Sequence, residues 1–167
     1  MPMSNRVFFL IIATACACLL GYGYYLEFYQ DLLPCPMCIF QRLCYMAIIA
    51  AGLGAAIHGP SYRGGMIYSI GVAICAALGG GIAGRQTWLQ HLPPELVPEC
   101  GPGLEFMLEM YPLFETVQKA LKGTGDCAEV SWRFLSFSIA EWSLACFLGL
   151  FIATLWQLMA NWRYTKV

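Results

Sequence analysis

Four apolar runs dominate the chain, at 7–26, 39–57, 66–84 and 142–160, each separated from the next by polar or turn-forming residues. A helix needs about 20 predominantly apolar residues to cross a bilayer, so each run is predicted to be one transmembrane helix. The first, VFFLIIATACACLLGYGYYL, holds no charge. It also has the general form of a signal peptide, with Ala13-Thr14-Ala15-Cys16 resembling a lipoprotein cleavage box, but the apolar run continues well past that point. Only Gln41 and Arg42 interrupt the second run. The third is uncharged and rich in Gly and Ala, which permits close helix packing.

The intervening segments differ in kind. A short polar connector at 27–34 leads into Cys35-Pro36-Met37-Cys38, and 58–65 (HGPSYRGG) is a turn-rich break. The stretch 85–141 is the only substantial extramembrane segment. Within it Phe106, Met110, Leu113, Phe114, Val117 and Leu121 recur at helical spacing, with Glu105, Glu109, Lys119 and Lys122 off that stripe. This predicts an amphipathic helix, either lying on the membrane surface or packed within a loop subdomain, and Pro112 should kink or divide it. The expected architecture is an all-α membrane protein. It forms a single integral membrane domain over 1–167, a four-transmembrane-helix bundle with outward loops at 27–38 and 85–141 and a short amphipathic helix in the second. There is no internal repeat and no low-complexity tract.

Composition agrees and narrows the function classes. Hydrophobic residues make up 59% of the 167 and charged residues 11%, against about 45–50% and about 25% in soluble domains, which excludes an ordinary free-standing soluble enzyme. The chain is too short for a typical transporter built on repeats. Its net charge of −1 lacks the positive excess on which nucleic-acid binding draws. The two signs are unevenly placed: the termini and the 58–65 break carry Arg6, Arg63, Arg163 and Lys166 with no acidic residue, while the opposite side holds every Asp and Glu. The positive-inside rule then predicts cytoplasmic termini, with both loops facing an oxidising space such as the periplasm. Trp88, Trp132, Trp142, Trp156 and Trp162 lie near span ends or in the loop, as an interfacial belt would have them.

That sidedness sorts the nine cysteines. Cys16, Cys18, Cys44, Cys75 and Cys146 fall inside spans, where a thiol packs as a small hydrophobe. Cys35, Cys38, Cys100 and Cys127 face outward. Two structural disulfides are the simplest use of four such thiols, and three pairings are open. The spacing Cys35-Pro-Met-Cys38 at a helix start argues for a pair that cycles, because unpaired N–H groups and the helix dipole there favour thiolate. Zinc would need two more converging ligands, and Cys100 and Cys127 are 27 positions apart without a second C-x-x-C. Arg42 lies one turn deeper than Cys38 on the same face. It either snorkels to the headgroups or supports a Cys38 thiolate and donates to a carbonyl of a membrane-dissolved acceptor; Gln41 could do neither as well.

These residues resemble the disulfide bond formation protein B (DsbB) family, bacterial inner-membrane quinone-linked thiol oxidases. The likeness rests on C-P-x-C followed by I-[FY]-x-R at 35–42 and on G-D-C-A-E at 125–129, and the four spans and long second loop extend it over nearly the whole chain. It implies that Cys35 and Cys38 are the quinone-proximal pair and that Cys100 and Cys127 are the loop pair that meets a DsbA-like thioredoxin-fold oxidase. It also implies that Arg42 contacts the acceptor, ubiquinone or menaquinone, with no metal. Some members carry histidine where Gln86 aligns, so Gln86 is a cofactor-binding candidate by position alone, and His91 falls in a Pro-rich loop. The implied reaction reoxidises the soluble partner, first attacked at Cys100, and passes its electrons to the quinone. Glycines 101, 103, 123 and 125 would lend the loop its mobility. The DsbA couple stands at about −120 mV, so glutathione-like couples near about −200 mV would run the wrong way as acceptors. Two other readings compete: a vitamin K epoxide reductase-like protein, whose C-x-x-C would be expected near the last spans, and a non-catalytic membrane scaffold braced by two disulfides. The implied location is the bacterial inner membrane, multi-pass.

Overall fold

The computed structural model describes residues 4–98, 104–123, 125–130 and 132–165. Four long helices carry the chain: α1 (Asn5–Gln30), α2 (Pro36–His58), α3 (Tyr62–Gln90) and, after the loop elements, α7 (Ile139–Thr165). All four are long and apolar enough to cross a membrane. Even α2, the shortest at 23 residues, is about 35 Å long at 1.5 Å per residue, more than the hydrocarbon thickness of about 30 Å. Leu10, Ile67, Ile74, Leu78, Leu148 and Ile152 stand exposed on the outside of the bundle, an apolar exterior suited to lipid.

Each helix begins and ends where local chemistry allows. Ser4 caps α1, its hydroxyl accepting from the Val7 N–H, and Asp31 closes it in the left-handed conformation at φ 51°. Pro36 occupies the first turn of α2, where its missing N–H costs nothing, and Gly59 ends that helix at φ 59°. Ser138 and Glu141 form a capping box at the start of α7: the Ser138 N–H donates to Glu141 Oε2 (2.6 Å) and the Glu141 N–H to Ser138 Oγ (3.2 Å). Every helix therefore outruns its apolar core. The connector expected at 27–34 is helical up to Gln30, the break expected at 58–65 shrinks to 59–61, and 85–90 continues α3. Hydropathy marks where the chain leaves hydrocarbon, whereas the helix ends only at a cap or a breaker.

α1 packs on α2, α2 on α3, and α3 most extensively on α7. Phe9, Ile12, Cys16, Ile48, Val72 and Phe147 form the core between them. Tyr45 stacks on Phe147 with ring centroids 4.2 Å apart. The long loop holds a 3₁₀ turn (Pro94–Leu96), α4 (Leu104–Met110), α5 (Leu113–Lys122), α6 (Gly125–Ala128) and a hairpin of β1 (Arg133–Phe134) with β2 (Phe137–Ser138). The amphipathic helix is divided at 111–112, as Pro112 requires. Its apolar stripe faces outward: Met110, Leu113 and Phe114 are exposed, while Met107, Thr116 and Ala120 turn inward. That exposure matches the membrane-surface alternative.

Candidate redox site

The site is assembled at the end of the bundle where α1 stops and α2 starts. Cys35 is the N-cap of α2, and its sulfur accepts from the Cys38 N–H at 3.4 Å. One helical turn brings Cys38 alongside, with the two Sγ atoms 2.8 Å apart. The pair therefore occupies the helix N-terminus as its spacing predicts, and Cys35 is the member that takes the backbone donor.

Cys127 reaches this pair from the loop. It is fully buried on α6 in a cluster with Met37 and Leu89 that also takes in Cys35. Two features seat it there. Gly123 turns the chain out of α5 at φ 89°, against Leu89 and Met37, where a Cβ would collide with Leu89. Arg85 of α3 donates from Nη2 to the Lys122 carbonyl at 3.1 Å, tying down the end of α5. Hydrogen bonding with Cys127 and with Cys38, together with burial, holds the Cys35 thiol well above the ordinary thiol range. Cys35 is thus the middle sulfur of a row of three. Cys100, the expected fourth member, lies outside the described residues, as do Gly101 and Gly103.

Gln86 of α3 also touches the pair. Its Nε2 lies 3.3 Å from Cys35 Sγ and 3.4 Å from Cys38 Sγ, with Cys38 Sγ 3.7 Å from its Oε1. Gln41 donates from Nε2 to Gln86 Oε1 at 2.8 Å, and both amides are buried. Gln86, a candidate by position alone, is therefore in direct contact with sulfur. Gln41, which spacing made the weaker candidate, is its anchor. Arg42 points elsewhere: its guanidinium pairs with Glu27 of α1, donates to the Gly23 carbonyl at 3.3 Å and lies 4.7 Å from the Tyr24 ring centroid. These partners are all on α1 rather than at the expected Cys38 sulfur, and Glu27, which hydropathy places in a connector, is a site residue. His91 caps α3, its Nδ1 2.8 Å from the Thr87 carbonyl and its Nε2 3.7 Å from Glu141.

A cavity of about 450 Å³ opens beside these groups. Leu19, Leu20 and Leu26 of α1 and Ile139 and Trp142 of α7 form apolar walls, and Cys35, Cys38, Gln41, Arg42 and Gln86 converge on it. An aromatic arch runs along its lining from α1 to α7. Tyr22 meets Trp132 edge-on, Trp132 stacks on Phe134, and Phe134 accepts at its carbonyl from Trp142 Nε1 at 3.1 Å. The arch depends on the hairpin, whose turn residues Leu135 and Ser136 both have positive φ, 51° and 71°. Asn and Gly favour such turns, so Leu-Ser carried no signal for it.

Comparison with known proteins agrees with this geometry. The family model described as "Disulfide bond formation protein DsbB" matches residues 5–157. Proteins named "Disulfide bond formation protein B" are similar over most of their length. That of Azoarcus sp. (strain BH72) is 44% identical over 161 residues, covering 96% of this chain and 96% of the relative. That of Methylococcus capsulatus is 49% identical over 148 residues, covering 88% and 90%. That of Aromatoleum aromaticum is 49% identical over 143 residues, covering 86% of each. A multi-pass membrane protein with a C-x-x-C pair, a third sulfur beside it and this match along its length belongs to the disulfide bond formation protein B (DsbB) family.

Proposed function

We propose that this disulfide-forming oxidoreductase reoxidises a DsbA-like, thioredoxin-fold dithiol oxidase on the outer face of the bacterial inner membrane and delivers the electrons to a membrane quinone. The single observation that carries the reading is the row Cys127, Cys35, Cys38 ending on an apolar cavity with polar groups at one end. Thiol–disulfide exchange needs a thiolate in line with a disulfide, and the row supplies successive partners. Attack by the reduced oxidase on Cys100 of a Cys100–Cys127 disulfide releases Cys127. Cys127 then attacks Cys35 of the Cys35–Cys38 disulfide and releases Cys38. The oxidase's second thiol resolves the mixed disulfide at Cys100, and Cys100 recovers Cys127, leaving Cys35 and Cys38 reduced. Re-forming the Cys35–Cys38 bond then yields two electrons and two protons.

The cavity fits a quinone headgroup, with leucine and tryptophan walls for the ring and Arg42 beside it as a donor to a carbonyl oxygen. Bound there, ubiquinone or menaquinone would supply a two-electron, two-proton sink. Two guanidinium N–H groups are committed to Glu27 and Gly23, and a guanidinium has five. The ion pair thus holds Arg42 at the cavity without exhausting it. Charge placement supports cytoplasmic termini: Asn5, Pro60 and Gln157 meet at the end of the bundle opposite the site, the end near which Arg6 and Arg63 lie.

Replacing Cys38 with serine tests the reading, since a hydroxyl is no substitute for a thiolate at neutral pH. Quinone-dependent turnover should fall by more than about 100-fold while the mixed disulfide with the partner still forms through Cys100. Retained turnover would overturn the relay, and a scaffold would show partner binding without thiol chemistry in either protein.

A further inference from the structure

We infer that the buried Gln41–Gln86 amide pair sets the reduction potential of the Cys35–Cys38 couple, with Gln86 acting on the reduced sulfurs and Gln41 holding Gln86 in place. The inference rests on the proposed cycling of that pair, but it concerns neither the quinone nor the partner. Gln86 is a catalytic residue in the strict sense of touching the reacting atoms, since its amide nitrogen lies 3.3 and 3.4 Å from the two sulfurs. Gln41 reaches them only through Gln86, at 2.8 Å, and is a positioning residue.

The chemistry follows from what each form of sulfur accepts. An N–H donor binds a reduced sulfur, above all a thiolate, more strongly than a disulfide sulfur, because charge-assisted hydrogen bonds are roughly twice as strong as neutral ones. A donor shared between both sulfurs therefore stabilises the reduced pair and makes the couple more oxidising, the same logic by which a stabilised reduced form makes a strong oxidant. An amide is also amphoteric: turned the other way, Gln86 would present its carbonyl oxygen to two sulfurs. Gln41 opposes that flip, because its own N–H takes the Gln86 oxygen at 2.8 Å, leaving the Cys38 sulfur a more distant donor to it at 3.7 Å. Both side chains are only 4% exposed, so an unpaired amide there would be costly.

The test is a redox titration of the purified, detergent-solubilised full chain in glutathione buffers of stepped ratio. The Cys35–Cys38 pair is read by alkylation and peptide mass, so that neither quinone nor partner enters. Gln86→Leu should shift the equilibrium about tenfold toward the disulfide, about 30 mV lower for a two-electron couple. Gln41→Leu should shift it about threefold the same way, and the double variant should match Gln86→Leu rather than the product of the two. Gln86→His, which restores an N–H donor, should return the couple to within about threefold of the parent. Helix content by circular dichroism separates these effects from misfolding. An unchanged potential in Gln86→Leu, or multiplicative single effects in the double variant, would overturn the inference. A shifted potential in a protein that reduces no quinone would uphold it while the proposed relay failed.

Discussion

The two ends of the bundle both join helices through polar side chains, but at one of them those side chains also border a cavity. At the end bearing the 59–61 turn, Gln157 donates to Asn5 at 2.8 Å, Asn5 to the Pro60 carbonyl at 3.3 Å and Arg6 to the Ile57 carbonyl at 3.3 Å. Gly65 lets Asn5 and Asn161 approach its backbone so closely that a Cβ would meet both. Polar groups there join α1, α2, α3 and α7 to one another. At the other end Arg42, Gln41, Gln86 and the cysteines border a cavity that α1 and α7 flank from either side, lined in part by the aromatic arch. Both ends spend side-chain hydrogen bonds on neighbouring helices, Arg42 on α1 and Gln41 on α3 at the site end; the difference is that there the same residues also line a cavity.

Substitutions at the two ends should therefore separate stability from chemistry. Gly65→Leu forces a side chain into the Asn5 and Asn161 amides and should cost about 1–3 kcal/mol. The effect appears as a lower melting temperature in detergent, with partner exchange unchanged in the folded fraction. Arg42→Met at the other end should leave melting nearly unchanged and raise the quinone KM about tenfold, the worth of one hydrogen bond from a charged donor. Exchange with the partner, measured without quinone, should stay within about twofold. Equal loss in both half-reactions would reject the assignment of Arg42 to the acceptor.

Much of this contrast was legible in the chain. Apolar runs, the second interrupted only by Gln41 and Arg42, placed four helices, and the Cys35-x-x-Cys38 spacing placed that pair at a helix start. Glu27 and Gln41 were not legible, for different reasons. Glu27 sits past the apolar run, where hydropathy sees an exit from the membrane, although the backbone keeps its helical bonds to Gln30 and so delivers the carboxylate to Arg42. Gln41 is a lone amide whose value depends on Gln86, 45 positions away, and no local pattern connects the two. The hairpin was hidden because Leu135 and Ser136 adopt positive φ without the residues that usually do so.

Smaller effects sharpen the comparison within the site. Glu27→Gln loosens Arg42 without removing it, and should raise the quinone KM about threefold, less than Arg42→Met, because partly exposed ion pairs contribute modestly. Removing the leading influence on the Cys35 thiol should show in its titration. Because hydrogen bonding with Cys127 raises Cys35, the thiol stays neutral to higher pH than usual. Cys127→Ala should lower that threshold, so alkylation of Cys35 in the reduced protein at pH 8 should speed up about threefold or more, since the thiolate is the reacting form.

The central claim is that electrons entering at the loop sulfur leave through the cavity. It is tested most directly by mixing the detergent-solubilised protein with a reduced thioredoxin-fold oxidase and a soluble ubiquinone analogue, following quinone absorbance and free thiols together. The account predicts one quinone reduced for every two partner thiols lost, with the protein's own thiol count unchanged over many turnovers. Partner thiols and quinone that both persist, with the protein's disulfides intact throughout, would contradict it.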